Sequence, residues 1–214
     1  PEALGGDLGF GRDSDGDGNP DATDPAPDDR GVGRGAPDGS SGTGQDSNGN
    51  TEGPSHPIVL DLDGDGVELA SPSDGGVRYD VDGDGFKELV GWSAGGDGLL
   101  AYDYDGDGII QFADEIAFTS YLEGARTDLE GLRAFDTNGD GLFSALDAEW
   151  SVFRVWVAAN QDGISDAGEL RTLDEVGIAA ITLSTDEQVE LNEDNPLFGT
   201  GAFARSDGTH GAFG

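Results

Sequence analysis

The chain has 214 residues, with 45 acidic side chains against 10 basic ones and a formal net charge of −35. Charge of that sign repels phosphate backbones and anionic lipid surfaces, so nucleic acid and membrane surfaces are not expected partners. With no Cys, no Met and only His56 and His210, the sequence also excludes disulfides, thiol chemistry, thiolate metal sites and a zinc centre built from His.

The length allows one or two domains. No stretch approaches the ~18–20 consecutive apolar residues of a membrane helix, so no membrane insertion is expected. Pro1 is not an initiator, which reads as a fragment or a processed chain. Residues 1–55 hold few large apolar side chains, and between Gly31 and Pro57 the one aliphatic residue larger than Ala is Val32. Such a segment buries too little surface to offset its ordering entropy. The expected organisation is an acidic repeat over 1–30, a disordered linker over 31–56 and a folded module over 57–214.

Within the module the elements are read in chain order from hydrophobic periodicity. Ile58–Leu60 is a short strand. Val77–Tyr79 and Phe86–Trp92 flank an acidic turn and form a hairpin, and Leu99–Tyr102 is a further strand. Phe112, Ile116 and Leu122 suggest a helix. Leu129, Leu132 and Phe135 recur at helical spacing. Ser144 with Asp147 marks a helix start that places Leu146, Trp150 and Phe153 on one face. Val155–Val157 is a short strand or an extended helix end, Leu170–Val176 is a helix stopped by Gly177, and Ile178–Leu183 is a strand. Leu197–Phe213 closes the chain as a hairpin turning at 206–209. The fold class expected from this is α+β: a small domain rich in calcium loops, with EF-hand-like loops, short helices and β-hairpins, behind a disordered N-terminal segment. Trp92, Trp150 and Trp156 read as core aromatics.

The acidic residues carry the chemistry. Asp-x-Asp-x-Asp-Gly recurs with variations six times. Calcium is a hard cation that takes six to eight oxygens, and a short loop supplies them when alternate side chains point inward, Gly at the sixth position makes the turn, the seventh carbonyl faces in and an acid near the twelfth closes the cage. The fourth loop fits best: Asp136, Asn138, Asp140, the Leu142 carbonyl, Ser144 and Asp147. The third has Asp103, Asp105, Asp107 and the Ile109 carbonyl, with Asp114 and Glu115 competing to close it. The fifth has Asn160, Asp162, the Ile164 carbonyl, Asp166 and Glu169, but Ala158 at its first position. The first (Asp61, Asp63, Asp65) and second (Asp80, Asp82, Asp84) lack a twelfth acid, since Pro72 and Gly91 stand there. Glu68 or Glu88 are earlier acids available to them, and both loops read equally as calcium turns or acidic hairpin turns. Asp13, Asp15, Asp17, Asp21 and Asp24 have the spacing of one thrombospondin type 3 repeat, which they resemble. Several calcium ions are therefore the expected cofactor. The carboxylate spacing is that of ligand loops and not of a glycosidase pair, and the absence of Met argues against an intracellular sensor that opens a Met-rich groove.

From Pro57 to about Phe213 the chain resembles the calcium-dependent self-processing module of FrpC-type RTX proteins. The resemblance rests on Pro57-Ile-Val-Leu-Asp-Leu-Asp-Gly-Asp-Gly66, Asp97-Gly-Leu-Leu100, Phe135-Asp-Thr-Asn-Gly-Asp-Gly141, Arg154-Val-Trp156 with Asn160-Gln-Asp-Gly-Ile-Ser165, and Glu169-Leu-Arg-Thr-Leu173 with Gly177-Ile178. The family's last strand reads as truncated after Gly214. The resemblance implies a module that folds on calcium, sits in a secreted or surface bacterial protein beside neighbouring domains, and cleaves an Asp–Pro bond just before its first strand. There the Asp side chain attacks its own carbonyl, an anhydride forms, and the Pro nitrogen leaves with a proton; a Lys amine can then capture the anhydride. The matching bond in this chain is His56–Pro57, and imidazole cannot form that anhydride. The expectation is a non-enzymatic calcium module, with self-cleavage as the alternative.

Overall fold

The computed structural model describes residues 57–214 apart from 75, 82–85, 187 and 194. The acidic repeat over 1–30 and the linker over 31–56 lie outside the described residues. Fourteen short strands are present among the described residues: β1 (Val59–Leu60), β2 (Leu69–Ala70), β3 (Val77–Tyr79), β4 (Glu88–Val90), β5 (Trp92–Ser93), β6 (Gly98–Tyr102), β7 (Leu142–Ser144), β8 (Phe153–Trp156), β9 (Leu170–Thr172), β10 (Ile178–Thr182), β11 (Glu190–Asn192), β12 (Asn195–Leu197), β13 (Gly201–Arg205) and β14 (His210–Phe213). Eight form one sheet in the order β7-β10-β13-β14-β1-β6-β8-β9, with every neighbouring pair antiparallel. The remaining six form three two-stranded ribbons, β2–β5, β3–β4 and β11–β12.

The middle of the sheet explains the apolar runs in the sequence. Successive strand residues face opposite sides, so a strand covered on both sides reads as continuously apolar. Ile58, Leu60, Leu100, Phe153 and Val155 point to one side and pack with Phe118, Phe135, Phe143, Ile181, Phe203 and Phe213. Val59, Leu99, Ala101 and Trp156 point to the other and pack with Val77, Tyr79, Trp92, Ile110 and Ile116. On that second side Trp92 meets Trp156 edge to face, with ring centroids 5.0 Å apart. All three tryptophans are buried.

The α+β expectation is wrong. One α-helix is present among the described residues, α1 (Asp128–Leu132), continued by a single 3-10 turn over Arg133–Phe135. The helix expected from Phe112, Ile116 and Leu122 is two separate 3-10 turns, Ala113–Glu115 and Thr119–Tyr121. The helix expected from Ser144 is strand β7, paired with β10, followed by turns into strand β8. The helix expected over Leu170–Val176 begins as strand β9 beside β8 and holds only one turn afterwards, closed by reciprocal bonds between Thr172 and Glu175. Helices this short are marginal on propensity alone, and here a strand partner and a side-chain carboxylate compete for the same backbone N–H groups. The terminal hairpin, β13–β14, is an integral part of the main sheet, and β14 pairs with β1. No helix of the described residues is long and apolar enough to cross a membrane.

Leu146 is 77% exposed, whereas Phe153 is fully buried. Had both lain on one helix face, both would be core residues. Phe153→Ala is expected to destabilise the fold by about 3–5 kcal/mol, and Leu146→Ala by less than about 0.5 kcal/mol. Urea denaturation of the two variants measures this, and a large loss in Leu146→Ala would contradict the strand assignment.

Candidate metal centre

The acidic loops share a backbone pattern. In the fourth loop the first-position Asp136 accepts the N–H groups of Gly139 (2.8 Å), Asp140 (3.2 Å) and Gly141 (2.9 Å). In the first, Asp61 accepts those of Gly64 (2.7 Å) and Gly66 (3.3 Å). In the third, Asp103 accepts that of Gly108 at 3.3 Å. The described sixth-position glycines have positive φ: 111° at Gly66, 76° at Gly108, 81° at Gly141 and 71° at Gly163. An L side chain rarely adopts that conformation, which is why Gly stands there. The fifth loop has Ala158 at its first position, and the Ala158 carbonyl accepts the Gln161 N–H at 3.2 Å instead.

The closing carboxylates also follow a pattern. Asp147 of the fourth loop accepts the N–H of Thr137 (2.9 Å), at the second position, and of Ser144 (2.9 Å), at the ninth. Glu169 of the fifth accepts the N–H of Ala159 (3.1 Å) and Asp166 (3.2 Å), the same two positions. In the first loop the equivalent acceptor is Asp97, which takes the N–H of Leu62 (3.2 Å) and Glu68 (2.7 Å). The β1–β6 register pairs Leu60 with Gly98, so Asp97 falls beside the start of the loop. Arg205 steadies the same loop by donating to the Asp61 and Leu62 carbonyls at 2.9 and 3.0 Å. Asp97 and Arg205 shape the first loop and are the residues that loop spacing missed. The available signal for Asp97 was a lone acid opening an apolar strand run, where burial of a carboxylate needs a partner.

Among the described residues, two acidic triplets bring carboxylate oxygens within 4.8 Å of one another: Asp61, Asp63 and Asp65, and Asp103, Asp105 and Glu115. Glu115, not the exposed Asp114, joins the third loop. Glu115 is completely buried. Its Oε2 accepts the N–H groups of Gln111 (2.7 Å) and Phe112 (2.9 Å), and its Oε1 has no hydrogen-bond partner. The Arg154 guanidinium lies 3.6 Å from Asp103 of the triplet. Asp107 is turned to its own loop, accepting from Ile109 N–H at 2.7 Å and from the Gln111 side chain at 3.2 Å. In the fifth loop the Asn160 amide donates to Asp162 (3.0 Å) and Asp166 (3.1 Å). In the fourth, Asn138 donates to Asp140 at 3.0 Å. Asp80 precedes the undescribed turn of the second loop. Asp82, Asp84 and the N-terminal Asp13, Asp15, Asp17, Asp21 and Asp24 lie outside the described residues.

A sequence model of the SPM domain matches residues 58–214. The chain belongs to the SPM domain family. It is 39% identical over 170 residues to the iron-regulated protein FrpA of Neisseria meningitidis serogroup C. That match covers 74% of this chain and 15% of the relative, so the SPM domain corresponds to a small part of a much longer protein.

The donor set of the SPM domain fits a hard cation. It is all oxygen, and its one buried orphan atom among the loop residues, Glu115 Oε1, belongs to the third-loop triplet. Burial pushes Glu115 up to about 7 and Asp97 up to about 6, with backbone N–H donors opposing the shift in both. Both values lie above those of an unfolded carboxylate, roughly 4–4.5. The contribution to stability of the metal-free fold is therefore fully present below the unfolded pKa and lost as pH rises through about 6 to 7. In chelator the domain is expected to melt at a lower temperature at pH 8 than at pH 5.5, and Glu115→Gln is expected to narrow that gap. Scanning calorimetry at the two pH values tests this, and an unchanged gap in Glu115→Gln would remove Glu115 as a cause.

Proposed function

We propose that this SPM domain is a calcium-binding module of an exported bacterial protein, and that it completes its folding when calcium enters its loops. The observation that carries the reading is Glu115: a fully buried carboxylate beside Asp103 and Asp105, with one oxygen lacking any hydrogen-bond partner. Leaving such a group unpaired is costly, and a bound cation supplies the missing partner. Asp103, Asp105, Glu115 and the Ile109 carbonyl would hold one ion. Asp61, Asp63 and Asp65, on a loop shaped by Asp97, would hold another. Asp136, Asn138, Asp140, Leu142, Ser144 and Asp147, and likewise Asn160, Asp162, Ile164, Asp166 and Glu169, supply the remaining EF-hand-like sets. The N-terminal thrombospondin-like run would add a further calcium repeat, and the module would stiffen or present neighbouring domains of a larger chain. Loops of this type outside cells work at about 0.1–1 mM calcium, the range in which binding free energy adds to folding free energy. Millimolar calcium is expected to raise the melting temperature of the chelator-stripped chain sharply, and magnesium much less. Calorimetric titration with circular dichroism measures both, and equal melting temperatures in chelator and in calcium would end the reading.

Family membership favours a second reading, calcium-dependent cleavage at the bond preceding β1. This chain keeps Pro57 as the leaving group but has His56 where the attacking carboxylate is required. The wild-type chain is expected to stay intact at 56–57 during long incubation in calcium, while His56→Asp gains calcium-dependent cleavage there. Intact-mass analysis reports both, and a wild-type fragment beginning at Pro57 would make the domain an autoprotease.

A further inference from the structure

The third and fifth loops are fastened together. The hydroxyl oxygen of Ser165 accepts the N–H of Ile110 at 2.8 Å, across 55 positions of sequence. That N–H belongs to the same peptide unit as the Ile109 carbonyl, the seventh-position donor of the third loop. The N–H of Ser165 belongs to the same peptide unit as the Ile164 carbonyl, the seventh-position donor of the fifth. One side chain therefore ties the two peptide units whose oxygens the loop pattern assigns to two cations. β3 is a second strut between the loops. The Tyr79 hydroxyl donates to the Phe112 carbonyl at 3.0 Å, and Phe112 is one of the residues whose N–H binds Glu115. Gly163 of the fifth loop lies so close to β3 that a Cβ there would sit 2.7 Å from the Arg78 carbonyl oxygen. The buried Glu115 Oε1, with no hydrogen-bond partner, lies in the third loop.

We propose that the third and fifth loops fill as a cooperative pair, each ion raising the affinity of the other loop through the Ile110–Ser165 contact. This rests on the calcium reading above. A cation that orders the Ile109–Ile110 peptide also orders Ser165, and through it the Ile164 carbonyl, so the second ion meets a loop already shaped. A hydrogen bond to the N–H of a peptide also polarises its carbonyl toward a cation. The coupling is reciprocal by linkage: whatever factor the third loop confers on the fifth, the fifth confers on the third. The fourth loop runs into β7, at the opposite edge of the sheet from β9, and is the internal control.

The test is a calcium titration of the metal-free, nitrogen-15-labelled full chain, in an osmolyte that holds the fold compact. The Ile110 amide reports the third loop and the Gly141 amide the fourth. The Trp156 indole, which donates to Glu169 at 3.3 Å, reports the fifth. Ser165→Ala is expected to keep the number of bound ions while weakening binding at the Ile110 and Trp156 probes on the order of fivefold, with the Gly141 midpoint unchanged and Ser165→Thr behaving as wild type. Glu115→Gln is expected to weaken the fifth loop by the same factor by which Glu169→Gln weakens the third. An Ile110 midpoint unmoved by both Ser165→Ala and Glu169→Gln would show independent filling and overturn the pairing while leaving the calcium reading intact. An equal shift at all three probes would also overturn it, since that is general loosening. A wild-type chain that shows no response to calcium at any probe would instead overturn the calcium reading itself, and the pairing with it.

Discussion

Carboxylates held side by side with too few cations to separate them are the constraint on which this fold depends. Asp103, Asp105 and Glu115 bring carboxylate oxygens within 4.8 Å of one another, with Asp103 and Glu115 buried and Asp105 exposed, and the Arg154 guanidinium lies 3.6 Å from Asp103. Asp61, Asp63 and Asp65 converge likewise, with Glu68 and Asp61 close enough to push the proton affinity of Asp65 upward after the larger effect of Asp63. Like charges at such distances repel, and where Asp61, Asp103 and Glu115 are buried less water screens them. The protein answers with backbone: every closing acid accepts N–H groups from its own or a neighbouring loop. Those dipoles reduce the repulsion without neutralising it, and a divalent ion changes the sign of the local field.

The sheet converts that local chemistry into a global one. Its central strands are covered on both faces, so loops that leave the strand ends must pack over a finished core. The third loop follows β6 and runs back across the face carrying Trp156, which is how Ile110 comes to be buried beside Val59 and Trp156 and within reach of Ser165. The first loop follows β1 and meets Asp97 because of the β1–β6 register. The positions of the acids in space are set by strand pairing as much as by their spacing in the chain.

That division explains what was legible in the sequence. The loops and their glycines were visible because the pattern is local: a positive φ at Gly141 or Gly163 needs nothing beyond its own few residues. Two central strands were visible because Ile58–Leu60 and Leu99–Tyr102 are unbroken apolar runs, while Val155–Val157 read as either a strand or a helix end. The helices failed for a physical reason. Leu146, Trp150 and Phe153 have helical spacing, yet Leu146 faces solvent and Phe153 lies in a strand, because Asp147 takes the Ser144 N–H and β10 takes the other edge of the segment. Ribbons as short as β2–β5, with two residues a strand, leave no periodicity to read. Asp97 escaped for the opposite reason: its role is defined entirely by a partner strand distant in sequence.

The place of β1 between β14 and β6 has a consequence for how such a chain comes into being. Leu60 pairs with Phe213, and the Val59 N–H donates to the Gly214 carbonyl at 2.8 Å, so the first strand of the module is completed by its last residues. A topology this non-local closes slowly, because long loops must be brought together before any contact rewards them. A chain emerging from either end, whether from a ribosome or through a narrow export channel, holds half of its central sheet unpaired until the other end arrives. Connectivity alone thus leaves β1 without its β14 partner until the residues that form β14 are present.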